Sequence, residues 1–250
     1  ASWGFSPPTL WEVVSQAGGV NTNLTPETGL NLELGLRGQI KDFLFYDISG
    51  YVMQLSNTIV PREDTNGVEI FENSGRTDQY GMELQLVYSA FKEGSRKQWT
   101  ELSFSAAYAY QNYRFQNYVI GVDTLIGKKL PGVAPHSLNL TARSAWKFGL
   151  YTEVRYRFVD QVPLNNINTD FADSYHLLDL EVGYHRTLLK RLKVKAFGGV
   201  NNVLSESYSS YYRLNGFGGK YFNPSAPLNW FAGVRLSYAF NMTKKPTLNN

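Results

Sequence analysis

Cysteine is absent from the 250 residues, which excludes a disulfide framework, thiolate chemistry and cysteine-based zinc clusters. Histidine is scarce. The three present, His136, His176 and His185, share no metal-ligand spacing and read as loop or wall residues with ordinary hydrogen bonds. There is no excess of charge of one sign: 24 Lys and Arg face 21 Asp and Glu, a net of +3. The basic residues are scattered among carboxylates, which argues against a nucleic-acid partner. No apolar run reaches the roughly 18 residues that mark a spanning helix. A spanning barrel remains open, because each of its strands needs only about 9–11 residues with every second one apolar. GFGGK (216–220) lacks the following helix pattern that would let it hold a phosphate. No Ser-His-Asp or paired-carboxylate arrangement emerges without assuming a fold. No catalytic residue, cofactor or metal is therefore singled out from these residues.

Aromatic residues are abundant, at 15% with 17 Tyr, 15 Phe and 5 Trp, and 22 glycines suit the turns and bulges of an all-β chain. The dominant period is two. Leu30, Leu32, Leu34 and Leu36 alternate with Asn31, Glu33, Gly35 and Arg37. The pattern returns in eight further runs, through Met82–Leu86, Leu102–Tyr110, Leu138–Leu140, Val154–Phe158, Leu178–Tyr184, Leu192–Ala196, Trp230–Phe240 and, less cleanly, residues 43–54. The polar phase carries Glu, Arg, Lys and Asp in strand after strand. Runs of about 10–13 residues exceed the usual strand mode of about 5–6. Tyr, Trp and Phe cluster at their ends, where an aromatic belt would meet a membrane interface.

The connections alternate strictly: short at 38–42, 92–98, 147–149 and 188–190, long at 55–78, 114–136, 162–173 and 205–227. Outer-membrane barrels have this alternation of short periplasmic turns and long external loops, and a soluble meander has no reason to obey it. Counting back from the last strand gives nine complete strands, preceded by a stub near residues 1–5. A bacterial single-chain barrel needs an even number, so the expectation is the C-terminal fragment of a larger all-β, antiparallel transmembrane β-barrel.

Several segments, in order, resemble the C-terminal barrel of TonB-dependent receptors. They are GFSPPTLWE (4–12) with LTPETGLNLELGLRG (24–38), NSGRTDQYGMELQL (73–86), KKLPGVAPHSLNL (128–140), GGVNNVLSESY (198–208) and YFNPSAPLNWFAGVRLSYAF (221–240). The resemblance covers residues 1–240 and implies about nine complete strands of a presumed 22-stranded barrel, with an N-terminal plug folded inside it. It further implies contact with TonB through an N-terminal region, and import of a ferric siderophore or similar scarce nutrient across the outer membrane of a Gram-negative bacterium. Members usually end at the terminal Phe read by the assembly machinery. Here Phe240 is followed by NMTKKPTLNN, a tail over 241–250.

Ligand contacts are expected in the long loops. YSSYYRLNGF (208–217) supplies the leading candidates, with Arg213 as a fixed cation flanked by the rigid aromatic area of Tyr211 and Tyr212, suited to an anionic ferric chelate. Arg62, and Tyr113 with Arg114, are secondary candidates. The competing structural role is that Tyr-rich loops pack on one another and on lipopolysaccharide. The lumen charges are expected to pair with each other, with water and with the plug. A passive outer-membrane porin or smaller barrel, its lumen charges setting ion selectivity, is the alternative function. A soluble all-β binding module is the third.

Overall fold

Period-two alternation builds strands, and here it builds little else. The computed structural model describes residues 1–14, 19–63, 68–73, 75–91, 98–120, 123–188 and 191–238, with the side chains of 60–63, 119, 120 and 123 left aside. The nine predicted runs form nine long strands: β2 (Glu27–Ile40), β3 (Leu44–Ser56), β4 (Arg76–Ser89), β5 (Trp99–Asn117), β6 (His136–Trp146), β7 (Leu150–Val159), β8 (Tyr175–Leu188), β9 (Leu192–Asn201) and β10 (Asn229–Tyr238). The stub forms β1 (Ser2–Ser6), so the sheet has ten strands, paired antiparallel in chain order. β5 runs on to Asn117, beyond the loop start at 114 expected from the sequence, because Arg76, Thr77 and Asp78 of β4 continue to pair with it. Phe240 and the 241–250 tail lie outside the described residues.

Pleating sends successive side chains to opposite faces, and the two faces differ in kind. One carries Leu34, Trp230, Val234 and Leu236, which are 84%, 78%, 68% and 66% exposed. A sheet that leaves such a continuous apolar surface uncovered is stable only where hydrocarbon replaces water. The other face carries the acids and arginines. Among the described residues, the buried apolar clusters lie at the long-loop end: Phe115, Tyr118 and Leu125 in one, Val162, Leu164 and Ala172 in another. The sheet thus has the make-up of an outer-membrane-type barrel wall, apolar on one face and polar on the other.

Aromatic belts mark both edges of the apolar band. At the short-turn end Phe43 meets Tyr88 (6.1 Å between ring centroids), Tyr88 meets Phe104 (6.5 Å), and Trp146 joins Trp99 (4.9 Å) to Phe148 (6.3 Å). At the long-loop end two of the three histidines take part as wall residues. His136 packs against Tyr108 and Tyr110 and is hydrogen-bonded to the Tyr108 hydroxyl at 2.8 Å; His176 packs against Tyr156 and Phe158, bonded to Tyr156 at 2.7 Å.

On the lumen face, four aromatic rings lie directly across from glycines on the neighbouring strand: Tyr51 on Gly81, Tyr151 on Gly183, Phe231 on Gly199 and Phe197 on Gly233. A Cβ at any of these glycines would run into the facing ring. The ring covers the backbone that a glycine leaves bare and fixes register between strands.

Candidate functional site

Three long loops close the outer end over β5–β10: residues 118–135, 160–174 and 202–228. Each folds back as a small ribbon, pairing Val119–Ile120 with Asp123–Thr124, Val162–Pro163 with Phe171–Ala172, and Ser209–Tyr212 with Phe222–Pro224. The segment Leu164–Asp170 (LNNINTD) ties them together. Its Asn168 accepts from the Lys129 amide at 2.7 Å and donates to the Lys129 carbonyl at 2.9 Å. The Asn166 amide donates to Asn215 Oδ1 at 2.8 Å, and the Asn215 amide donates to the Leu164 carbonyl at 2.9 Å. Asn168 and Asn215 adopt φ of 56° and 54°, a left-handed backbone that asparagine tolerates better than most side chains. Asn165 donates to Asp170 at 2.7 Å, and the Tyr221 hydroxyl donates to the same carboxylate at 3.1 Å. Burial pushes the Tyr221 phenol up, and the Asp170 carboxylate adds to the effect, so Tyr221 remains a neutral donor at physiological pH.

A dry core backs this polar network. Val162, Leu164 and Ala172 are buried, and Ala134, Val159, Tyr212 and Tyr221 pack on them. The connections between β1 and β2 and between β3 and β4 join the same assembly. The Tyr118 hydroxyl donates to Glu72 at 2.7 Å, and Asn73 is bonded to Thr25 through both its side-chain oxygen (2.9 Å) and nitrogen (3.0 Å). The outer loops are thus cross-braced, which limits the conformations their exposed surface can take. Replacing Asn168 by Ala removes the two Lys129 bonds while leaving the wall intact. Backbone amides of residues 127–132 are expected to exchange with solvent at least tenfold faster in the variant, with protection of β6 and β7 unchanged by hydrogen-exchange mass spectrometry.

The six residues singled out from the sequence fall in different settings. Tyr211 is 65% exposed, while Tyr212 is half-buried against the loop core, edge-on to Phe222 at 6.1 Å, with burial pushing its phenol up. Arg213 is exposed between them and the loop tip, its amide donating to the Tyr221 carbonyl at 2.9 Å. Arg62 lies on the ribbon of the β3–β4 loop, opposite Ile70, with its side chain outside the described set. Tyr113 points into the lumen, its hydroxyl 2.5 Å from that of Tyr51. Arg114 donates to Asn112 at 2.9 Å and to the Gly127 carbonyl at 2.7 Å, fastening its own loop. The structure thus brings Tyr211, Tyr212 and Arg213 together on one ribbon and leaves Arg62, Tyr113 and Arg114 apart from it. The Leu164–Asp170 brace carried no recognised sequence signal beyond its three asparagines.

Below the loops the lumen wall carries charge in pairs. Arg37 meets Asp47 at 2.6 Å, Arg143 meets Glu101 at 3.5 Å, and Arg155 meets Glu153 at 2.8 Å and Asp179 at 3.9 Å. A polar hollow of about 740 Å³ opens between β2 and β6, lined by Glu33, Arg37, Asp47, Glu83, Gln85 and Asn139 among others. Among the described residues no three metal-ligating side chains gather.

Residues 1–203 match the family model for the TonB-dependent receptor-like β-barrel. The chain belongs to this family. TonB-dependent receptors are transport receptors rather than an enzyme class, and their barrels lie in the outer membrane of Gram-negative bacteria. Solved receptors with the same wall include the ferric preacinetobactin receptor of Acinetobacter baumannii, with TM-score 0.69, 15% identity, and coverage of 94% of this chain but 33% of that one. The ferric yersiniabactin uptake receptor of Yersinia pestis gives TM-score 0.63 at 17% identity, covering 96% of this chain and 34% of the receptor. A copper transporter gives TM-score 0.68 at 18% identity, covering 95% and 36%. At such identities the likeness concerns the fold. The chain spans about one third of the length of the receptors it matches.

Proposed function

We propose that this TonB-dependent receptor chain is part of an outer-membrane importer for a scarce nutrient, with a ferric siderophore as the leading substrate. The observation that carries the reading is the joining of two features in one chain: a receptor-family barrel wall, and a braced outer lobe presenting Tyr211 and Arg213 to the outside. Two of the similar receptors take ferric siderophores by name. In this reading loops and lumen bind the chelate, no bond in it is made or broken, and TonB supplies work through a region of the receptor outside this chain. The outer face of the wall meets lipid, with lipopolysaccharide around the long-loop belt.

The chemistry of the outer ribbon suits an anionic, partly aromatic chelate. A guanidinium offers fixed donors, and an exposed phenol offers rigid area at low entropic cost. Arg213 and Tyr211 would contact it, with Tyr212 supporting the ribbon from beneath; Arg62, Tyr113 and Arg114 would contribute less. Replacing Arg213 by Ala in the intact receptor removes a charged hydrogen-bonding group worth about 1.5–3 kcal/mol, a rise in Kd of roughly 10- to 100-fold. Unchanged affinity in a ligand-binding titration would remove Arg213 from the site. The function itself is tested by uptake of radiolabelled iron chelates into iron-starved cells with and without the receptor gene. Uptake that needs both the receptor and TonB is expected. Uptake that survives loss of TonB would identify a passive porin, and copper uptake in its place would reassign the cargo.

A further inference from the structure

The outward phase of β5 is apolar or aromatic through Phe104, Ala106, Tyr108 and Tyr110, and then turns polar with Asn112 and Arg114. Arg114 thus faces away from the lumen into which its neighbour Tyr113 points. Lys129 pairs with it across an antiparallel bridge, so two cations stand side by side on this outer face. Like charges in that position repel each other unless something compensates them. The carboxylate on the opposite side is committed: Asp78, across from Arg114 on β4, is held by Arg76 through bonds of 2.9 and 3.3 Å. Arg114 itself reaches only neutral oxygens, those of Asn112 at 2.9 Å and Gly127 at 2.7 Å. A guanidinium has further N–H donors to place. Among the described residues, neither Arg114 nor Lys129 pairs with a carboxylate. Beside them lies a hollow of about 220 Å³, with Tyr110, Asn112, Arg114, Lys129 and His136 in its lining.

We propose that Arg114 and Lys129 form a binding site for the phosphate groups of an outer-leaflet lipid, seated above the aromatic belt of Tyr108, Tyr110 and His136. The level suits a headgroup. Arg114 lies four residues beyond Tyr110. That is about 13 Å along a strand at roughly 3.3 Å per residue, or roughly 9 Å along the bilayer normal at a tilt of about 45°. Belt tyrosines mark the edge of the hydrocarbon, so the two cations reach headgroup depth, on the side away from any cargo in the lumen. A phosphate between them replaces repulsion by charge-assisted bonds, and a guanidinium edge matches two phosphate oxygens. The inference rests on the membrane-receptor reading and adds to it a site and a ligand chemistry. Delipidated full-length receptor in neutral detergent is titrated, by native mass spectrometry, with lipid A bearing its phosphates and with dephosphorylated lipid A. The phosphorylated lipid is expected to bind roughly tenfold more tightly or better, and Arg114→Gln/Lys129→Gln to abolish that preference. The Lys129 main chain, not its side chain, carries the Asn168 bonds. Lys129→Gln alone therefore keeps the fold, and should weaken the preference about fivefold, the effect of one cation at an anionic surface. Equal binding of both lipids by the unaltered receptor, or an unchanged preference in both variants, overturns the proposal and leaves the membrane wall standing. Displacement of the lipid by millimolar inorganic phosphate would make this a site for free phosphate and overturn it equally. A receptor that takes up neither lipid overturns the membrane reading, and the proposal with it.

Discussion

Leu34→Arg is expected to destabilise the folded barrel by about 2–4 kcal/mol, the cost of a cation facing hydrocarbon near the bilayer midplane. Leu34 lies in the middle of β2, opposite Gly50, on the apolar face, and is 84% exposed. On a water-facing surface so exposed a residue would tolerate arginine to within about 0.5 kcal/mol. The two solvents therefore predict effects that differ severalfold. Ser49→Arg is the control. Ser49 faces the lumen from the neighbouring strand and lines the polar hollow beside Glu33 and Glu83, where a cation meets water and carboxylates. Urea titration of the receptor refolded into lipid vesicles should show a large loss for Leu34→Arg and little change for Ser49→Arg. Equal, small effects at both positions would mean that water bathes both faces.

Gly183→Val is the second substitution with a large expected effect. Tyr151 is 4% exposed, lies across Gly183, and donates to Glu181 at 2.7 Å. A Cβ at Gly183 meets the ring itself rather than the end of a flexible side chain. The ring must leave, and with it goes the hydrogen bond. Overpacking of this kind costs about 1–3 kcal/mol, and the lost bond about 1 kcal/mol more. Removing the obstruction as well, in Gly183→Val/Tyr151→Ala, should recover part of the loss. Recovery in the double variant is the informative outcome, because it separates a specific clash from general intolerance of valine. No recovery would mean that the glycine serves the backbone alone.

How much of this was legible beforehand follows from which signals are local. Alternation such as Leu30–Leu36 against Asn31–Arg37 is written in consecutive residues, so strands, faces and the short-long rhythm of turns could be read directly. The family resemblance extended that to barrel type, and the match over residues 1–203 bears it out. Pairings between strands were harder. That Tyr151 covers Gly183 depends on register across 32 positions of chain, and neither residue announces it alone. The loop brace was harder still: Asn166 and Asn215 meet only because two long loops fold over each other. Among the site candidates, Tyr212 and Arg114 illustrate the ambiguity of composition. Both look like binding residues in sequence, yet one packs into the loop core and the other fastens its own loop to the Gly127 carbonyl.

Spin-label accessibility along β2 in the full-length receptor, reconstituted in lipid bilayers, tests the central claim most directly. Labels placed singly at positions 30 to 37 report collisions with oxygen, which partitions into hydrocarbon, and with a water-soluble nickel complex. A period of two is expected, with oxygen access high at 30, 32, 34 and 36 and low at 31, 33, 35 and 37. Uniform nickel access at the positions of Leu30, Leu32, Leu34 and Leu36, with no oxygen maximum, would show that water covers the apolar face and that this sheet is not a membrane wall.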